Sequence, residues 1–245
     1  MHLLLCPHHH PSLQHMHNMS NRLMNNGKSV PLAFWNCHSL STSIDNIRAM
    51  LCHRQHPLGM LALCETKWDA SRSLPSIHNY TWYYQHHYPS CGGIACLVHD
   101  DVAATWVDHT HPTLSSLSST TSMGLDSEDS SALCWIELKP AGWTHSILIG
   151  ILYLRPPVQS AVLSRLFASI DRAQQLIGHD HPILLMGDWN LRHPFWDASV
   201  TQPDTQASRL MSYLDDHHLS IINNVFHPCQ VATRPASGSS LLIQS

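Results

Sequence analysis

Residues Ile183 to His193 read ILLMGDWNLRH. The apolar run Ile183 to Met186 has the length and composition of a strand about to be buried. It ends on Asp188 and, two positions further, on Asn190. Side chains alternate along an extended chain, so these two point the same way if the chain stays extended. Burying an ionised carboxylate without a partner is costly. This strand end must therefore be paired, metal-bound or open to water.

Other apolar runs end in the same kind of group. Val30 to Leu40 (VPLAFWNCHSL) reads as a strand ending at Asn36, and Gly59 to Trp68 (GMLALCETKW) as a strand running into Glu65. Ser146 to Leu154 is a further strand, followed by Arg155, with Tyr153 at its end. It pairs with Ala132–Leu138 through a turn at KPAGW, which predicts an antiparallel hairpin. Cys91–Asp100 is a glycine-led strand, and Ser220–Val225 a short one. Helical spacing of apolar residues marks Ser43–Gln55, Ser160–Ile177 and Thr205–Leu219. Residues 110–131 are dominated by Ser and Thr and read as a long loop. Strand pairs interrupted by helices predict layers of sheet with helices outside. Such sheets place ligands at strand ends. Carboxylate and carboxamide oxygens suit a hard cation such as magnesium, which binds through one or two carboxylates and keeps waters for a phosphate substrate. Glu65 and Asp188 would serve.

Composition narrows the class. The 245 residues suffice for one large domain, with 43% hydrophobic but only 12% charged residues. A net charge of -4 is no footprint of strong nucleic-acid binding, although 22 histidines titrate near neutrality. Eight scattered cysteines without CxxC spacing predict free, mostly buried thiols in a reducing compartment. MHLLLC is too short for a signal segment, and no run approaches the ~18 apolar residues of a membrane span. These features predict a soluble intracellular protein. Residues 1–29, rich in His, Asn, Ser and Met, read as a disordered leader, with His8, His9 and His10 as an alternative metal-binding tract.

Taken in order, FWNCHSL, LALCETKW, CGGIACLV, LYLRPP, GDWN and HPFWD resemble the endonuclease/exonuclease/phosphatase superfamily. More narrowly they resemble the endonuclease domain of non-LTR retrotransposon polyproteins, whose strand reads GDFN before a His-containing loop and a tryptophan. The resemblance covers roughly residues 30–243. It implies a four-layer α/β sandwich, two packed mixed β-sheets flanked by helices, that cleaves phosphoester bonds with magnesium or manganese. DNA is the partner implied, bound weakly given the charge, which would place the protein in the nucleus if chromosomal DNA is cut. Carried over by position, Glu65 would be the main metal ligand and Asn36 would support the metal site. Tyr153 would contact the phosphate, Asp188 would orient or deprotonate the attacking water, and Asn190 would hold the phosphoryl oxygens. Arg155 and Arg192 lie beside these positions and could touch a nucleic-acid backbone. His193 is similar to the histidine of the subgroup's loop.

The family's last motif is a strand beginning with serine and an aspartate, then a later Asp–His pair. Here ATRPASGSSLLIQS places Ser239 at the serine and Leu242 at the aspartate, and the sequence given ends. The expectation is a domain over 30–245 that lacks its last strands. Loss of such an acid/base group commonly costs about 10²–10⁴ in rate. A nuclease, a non-catalytic remnant that binds metal or phosphate, and a phosphatase for small molecules therefore all stay open. A His-rich metal-binding protein is the fourth reading.

Overall fold

Short unbroken runs of aliphatic and aromatic residues form the strands, and the same residue types at helical spacing form the elements between them. The structure, a computed structural model, describes residues 5–7, 30–52, 57–68, 71–85, 92–107, 131–177, 182–197 and 199–221. In chain order the elements are β1 Leu5–Pro7, β2 Leu32–Asn36, α1 Leu40–Cys52, β3 Met60–Cys64, β4 Tyr80–Gln85, β5 Ile94–His99, β6 Val102–Trp106, β7 Ala132–Pro140, β8 Ile147–Tyr153, α2 Ser160–Ile177, β9 Ile183–Asp188, α3 Thr205–Asp216 and β10 Leu219–Ile221.

Two sheets result, one in the order β2-β3-β5-β4 and one in the order β10-β1-β9-β8-β7-β6. Each contains one parallel pair, β2 with β3 and β8 with β9; the other pairings are antiparallel. A parallel pair needs a crossover connection, and α1 and α2 are the helices of the two crossovers.

Three apolar clusters define the layers. Met60, Ala62, Ile94, Cys96 and Val98 of the smaller sheet pack on Cys134, Ile136, Ile147, Ile149, Ile151 and Met186 of the larger one. On its outer face the smaller sheet buries Leu61, Leu63, Ala95 and Leu97 against Leu40, Ile47 and Leu51 of α1. The larger sheet buries Leu148, Leu152 and Leu185 against Leu163, Leu166 and Ile170 of α2 and Leu210 and Leu214 of α3. Helix, sheet, sheet, helix is the four-layer α/β sandwich expected.

The alternation along the strands positions the site. Residues 32 and 34 of β2, 149 and 151 of β8, and 184 and 186 of β9 belong to or pack against the core between the sheets. Two residues further on each strand stand Asn36, Tyr153 and Asp188. The polar groups therefore extend the rows of the inter-sheet core to one end of the sandwich.

Two expectations change. The chain does not stay extended beyond Asp188: β9 ends there and Asn190 is left-handed, with φ 47°. The expected leader contributes Leu5–Pro7 as β1, hydrogen-bonded between β9 and β10. The rest of residues 1–29 lies outside the described residues, as do most of the Ser/Thr-rich loop and the whole of the C-terminal ATRPASGSSLLIQS stretch. Cys37, Cys64, Cys96 and Cys134 are buried free thiols, and Cys52 is an exposed one. No described helix is long and apolar enough to cross a membrane.

Candidate active site

The four strands of the two parallel pairs bring their C-terminal ends together. From the smaller sheet come Asn36 at the end of β2 and Glu65 just past β3. From the larger come Tyr153 at the end of β8 and Asp188 at the end of β9, register partners in the parallel pair. Asn36 joins the two sheets: its Nδ2 donates to Glu65 Oε1 at 2.8 Å and to Asp188 Oδ2 at 2.9 Å. Its Oδ1 accepts the His38 backbone N–H at 3.1 Å. The orientation of the amide follows from its neighbours, because two carboxylates need a donor and an N–H needs an acceptor. Asn36 thus meets both carboxylates through its nitrogen, as a carboxylate holder.

Glu65 would point away from Asn36 if β3 continued, since Cys64 already faces the inter-sheet core. A left-handed backbone at Glu65 (φ 52°) redirects it. The turn is clamped by backbone bonds from Thr66 N to Gly93 O at 3.3 Å, Lys67 N to Gly92 O at 3.0 Å and Leu40 N to Thr66 O at 2.8 Å. Gly93 (φ +89°) lies so close that a β-carbon there would overlap Thr66 Oγ1. His38 (φ 58°) and Lys67 (φ 46°) are left-handed as well, so with Asn190 four of the six described non-glycine residues of positive φ surround this site. Such a backbone costs on the order of 1–2 kcal/mol per residue, and such strain concentrates at functional sites.

The strained turns aim two further side chains at Glu65. His38 Nδ1 lies 3.0 Å and Lys67 Nζ 3.3 Å from Glu65 Oε2. The His38 side chain is 84% exposed and that of Lys67 30%, against 14% for Glu65. Exposed ion pairs contribute about 0–1 kcal/mol. That does not offset two left-handed residues, so stability alone does not account for the arrangement. Burial raises the Glu65 carboxyl, but hydrogen bonds from Asn36, Lys67 and His38 outweigh it and hold the group below its usual range. Neither His38 nor Lys67 was singled out from the sequence. Each stands two residues beyond a site residue, in NCH and ETK, the same spacing that drew attention to Asp188 and Asn190.

Tyr153 is buried, with Glu65 and Asp188 near its hydroxyl. Burial, then the negative charge of Glu65 and of Asp188 push the phenol well above its usual range, so it stays a donor. Asn190 closes the other side. Its backbone N–H reaches Asp188 Oδ1 at 3.2 Å, and its Nδ2 donates to Leu154 O at 2.9 Å. Leu154 N in turn donates to Asp188 O at 2.9 Å.

The residues expected to hold substrate are less concentrated. Arg155 is exposed just past β8, and its backbone N–H bonds Ser131 Oγ at 3.0 Å. Arg192 is exposed, its backbone N–H tied at 2.9 Å to Asp204, the N-cap of α3. His193 serves its own turn: Nδ1 accepts the Phe195 N–H at 3.1 Å, and the ring lies 4.9 Å from that of Trp196. Cys37 and Cys64 flank Asn36 and Glu65 without joining the chemistry. Burial pushes the Cys37 thiol up to about 12 and that of Cys64 well above its usual range, so neither is a ready nucleophile.

The donor set fits a hard divalent cation. Among the described residues no three His, Cys, Asp or Glu side chains form a metal-binding group. Magnesium binds through one or two carboxylates and keeps several waters, and the Lys67 ammonium on Glu65 Oε2 marks a position that favours positive charge. If Asn36 Nδ2 gives one hydrogen to each carboxylate, the two oxygens it serves stand about 5 Å apart. Oxygens on one magnesium are at most about 4 Å apart. The two oxygens that Asn36 serves are thus too far apart to share one magnesium.

Comparison with known proteins agrees with this architecture. Residues 147–242 match the family model described as Endonuclease-reverse transcriptase. Among solved structures, an AP endonuclease from Leishmania major superposes with a TM-score of 0.53 at 13% identity, covering 74% of this chain and 65% of that one. A mannosyl-6-phosphatase from Bacteroides thetaiotaomicron gives 0.48 at 14% identity, covering 75% and 70%. The human nocturnin catalytic domain gives 0.42 at 16%, covering 65% and 63%. The curated proteins give no match. Residues 147–242 are thus similar to an endonuclease-type family, and the described residues share the fold of the AP endonuclease.

Proposed function

We propose that the chain is a divalent-metal-dependent phosphodiesterase, an endonuclease of retroelement type acting on DNA. The observation that carries this reading is the Asn36 carboxamide holding Glu65 and Asp188 at once. It sets one carboxylate for a cation and a second beside it for a water. The name of the matched family model and the likeness to an AP endonuclease favour DNA over a small phosphate ester.

Phosphodiester hydrolysis requires neutralisation of the phosphoryl oxygens and an oriented nucleophile. Glu65 would hold magnesium or manganese, which when bound supplies positive charge to the phosphoryl oxygens. Asp188 has one oxygen on Asn36 and the other on the Asn190 N–H, so its plane is fixed. Each oxygen has a second lone pair for the hydrogen of a water. Asp188 therefore orients that water and takes its proton. The protonated Tyr153 hydroxyl donates to a phosphate oxygen. The Asn190 amide carries two N–H donors; one braces Leu154 O and the second serves the phosphoryl group as charge builds up.

The test is nicking of supercoiled plasmid by the purified chain with magnesium and with EDTA. Glu65→Ala should lose both magnesium binding and nicking. Asp188→Asn should lose about 10²–10⁴ in rate while binding magnesium nearly as before. Unchanged cleavage by Glu65→Ala would move the site elsewhere. A large loss of metal affinity in Asp188→Asn would make Asp188 a ligand. A folded sample that binds magnesium without nicking would turn the search to small phosphate esters.

A further inference from the structure

Lys67 has no place in the mechanism above, although its ammonium is the full positive charge closest to Glu65 that the structure records. We propose that Lys67 is a substrate-phosphate-binding residue, seated on Glu65 Oε2 until a divalent cation takes that carboxylate and then turned to the phosphate. The inference rests on the metal-dependent reading of this site and deepens it.

Several observations converge. Glu65 divides its oxygens: Oε1 belongs to Asn36, and Oε2 to His38 and Lys67. Only the second oxygen is held by groups that can leave without breaking the link between the sheets. Lys67 reaches it from a left-handed backbone locked to Gly92 O. The backbone is therefore fixed while the four-carbon side chain stays mobile at its tip. A divalent cation on Glu65 would outcompete a single ammonium for the same oxygen and repel it across a few ångströms. Lys67 is partly exposed, on the open side of the carboxylate, where an arriving anion would stand. Charge balance points the same way. A divalent cation cancels Glu65 and Asp188, and an anionic diester then meets a neutral centre unless another cation is present. Lys67 provides that surplus. His38, more exposed and on the same oxygen, adds a further donor at the mouth.

A competitor for the cation and a ligand for the phosphate must affect the two affinities in opposite directions. The experiment is calorimetric titration of the full chain with magnesium alone, then with inorganic phosphate at saturating magnesium. Lys67→Gln is expected to bind magnesium about threefold to tenfold more tightly and phosphate about tenfold more weakly. Lys67→Arg, which keeps the charge, is expected to retain phosphate binding within about threefold. Far-ultraviolet circular dichroism of each variant checks that the fold is kept. A Lys67→Gln protein with both affinities unchanged, or both lowered, overturns the proposal and makes Lys67 a structural partner of Glu65. A wild-type chain that takes up no magnesium overturns instead the metal-dependent reading on which the proposal rests.

Discussion

At Asn36 a single carboxamide serves three neighbours, and the electrostatics of the site follow from it. Glu65 is held ionised in the fold by Asn36, Lys67 and His38, which outweigh its burial. A carboxyl that is more acidic folded than unfolded adds stability above its unfolded value and loses it as the pH falls through the folded one. Thermal melts of the metal-free chain should therefore fall from near pH 4.5, the ordinary value, downward. Glu65→Gln should reduce that fall, and an unchanged acid profile in the variant would remove Glu65 as its source. Of the site itself, Asn36, Glu65, Tyr153, Asp188 and Asn190 were all legible, because each stands at the polar end of an apolar strand. His38 and Lys67 were not. Their importance depends on left-handed turns, and no local spacing rule marks a non-glycine residue for positive φ.

Strands whose patterns were simple came out close to their expected bounds. The helix Ser160–Ile177 matches to the residue, whereas the strand expected over PILLMGDWN starts at Ile183 and ends at Asp188. β4 and β6 went unassigned for physical reasons. YTWYYQ is a crowd of aromatics without apolar–polar alternation, and VAATW dilutes its strand signal with alanines, although its burial alternates once folded. Conversely, the two-residue spacing of Asp188 and Asn190 suggested one continuing strand. The two groups do meet, but through a turn in which the Asn190 N–H caps the Asp188 carboxylate. The glycine before Asp188 is the tightest point of β9, since a β-carbon there would overlap Leu152 O on the neighbouring strand. Backbone cannot move aside as a side-chain tip can. Gly187→Ala should therefore destabilise the fold by about 3 kcal/mol, seen as a lower urea midpoint at unchanged slope. A variant as stable as the parent would mean that β8 and β9 are more loosely joined than their register implies.

Across the whole molecule, layer order was legible and sheet membership was not. Apolar runs announce strands, but which sheet takes each one depends on contacts distant in sequence, as with β1 entering the larger sheet between β9 and β10. The site lies where the two sheets meet, and Asn36 ties Glu65 to Asp188, so a cation on Glu65 should steady both sheets through Asn36. Saturating magnesium should slow amide hydrogen exchange jointly at the ends of β2–β3 and of β8–β9, and Glu65→Ala should abolish both effects. Slowing in the smaller sheet alone would mean that Asn36 does not couple the two carboxylates. The bond from Asn36 to Asp188 spans 152 residues of chain. On the ribosome, therefore, Asn36 and Glu65 emerge long before their partner is made. Under the nuclease reading proposed above, a nascent chain would hold no complete site until β9 has been synthesised and packed: the order of translation would act as a safety catch.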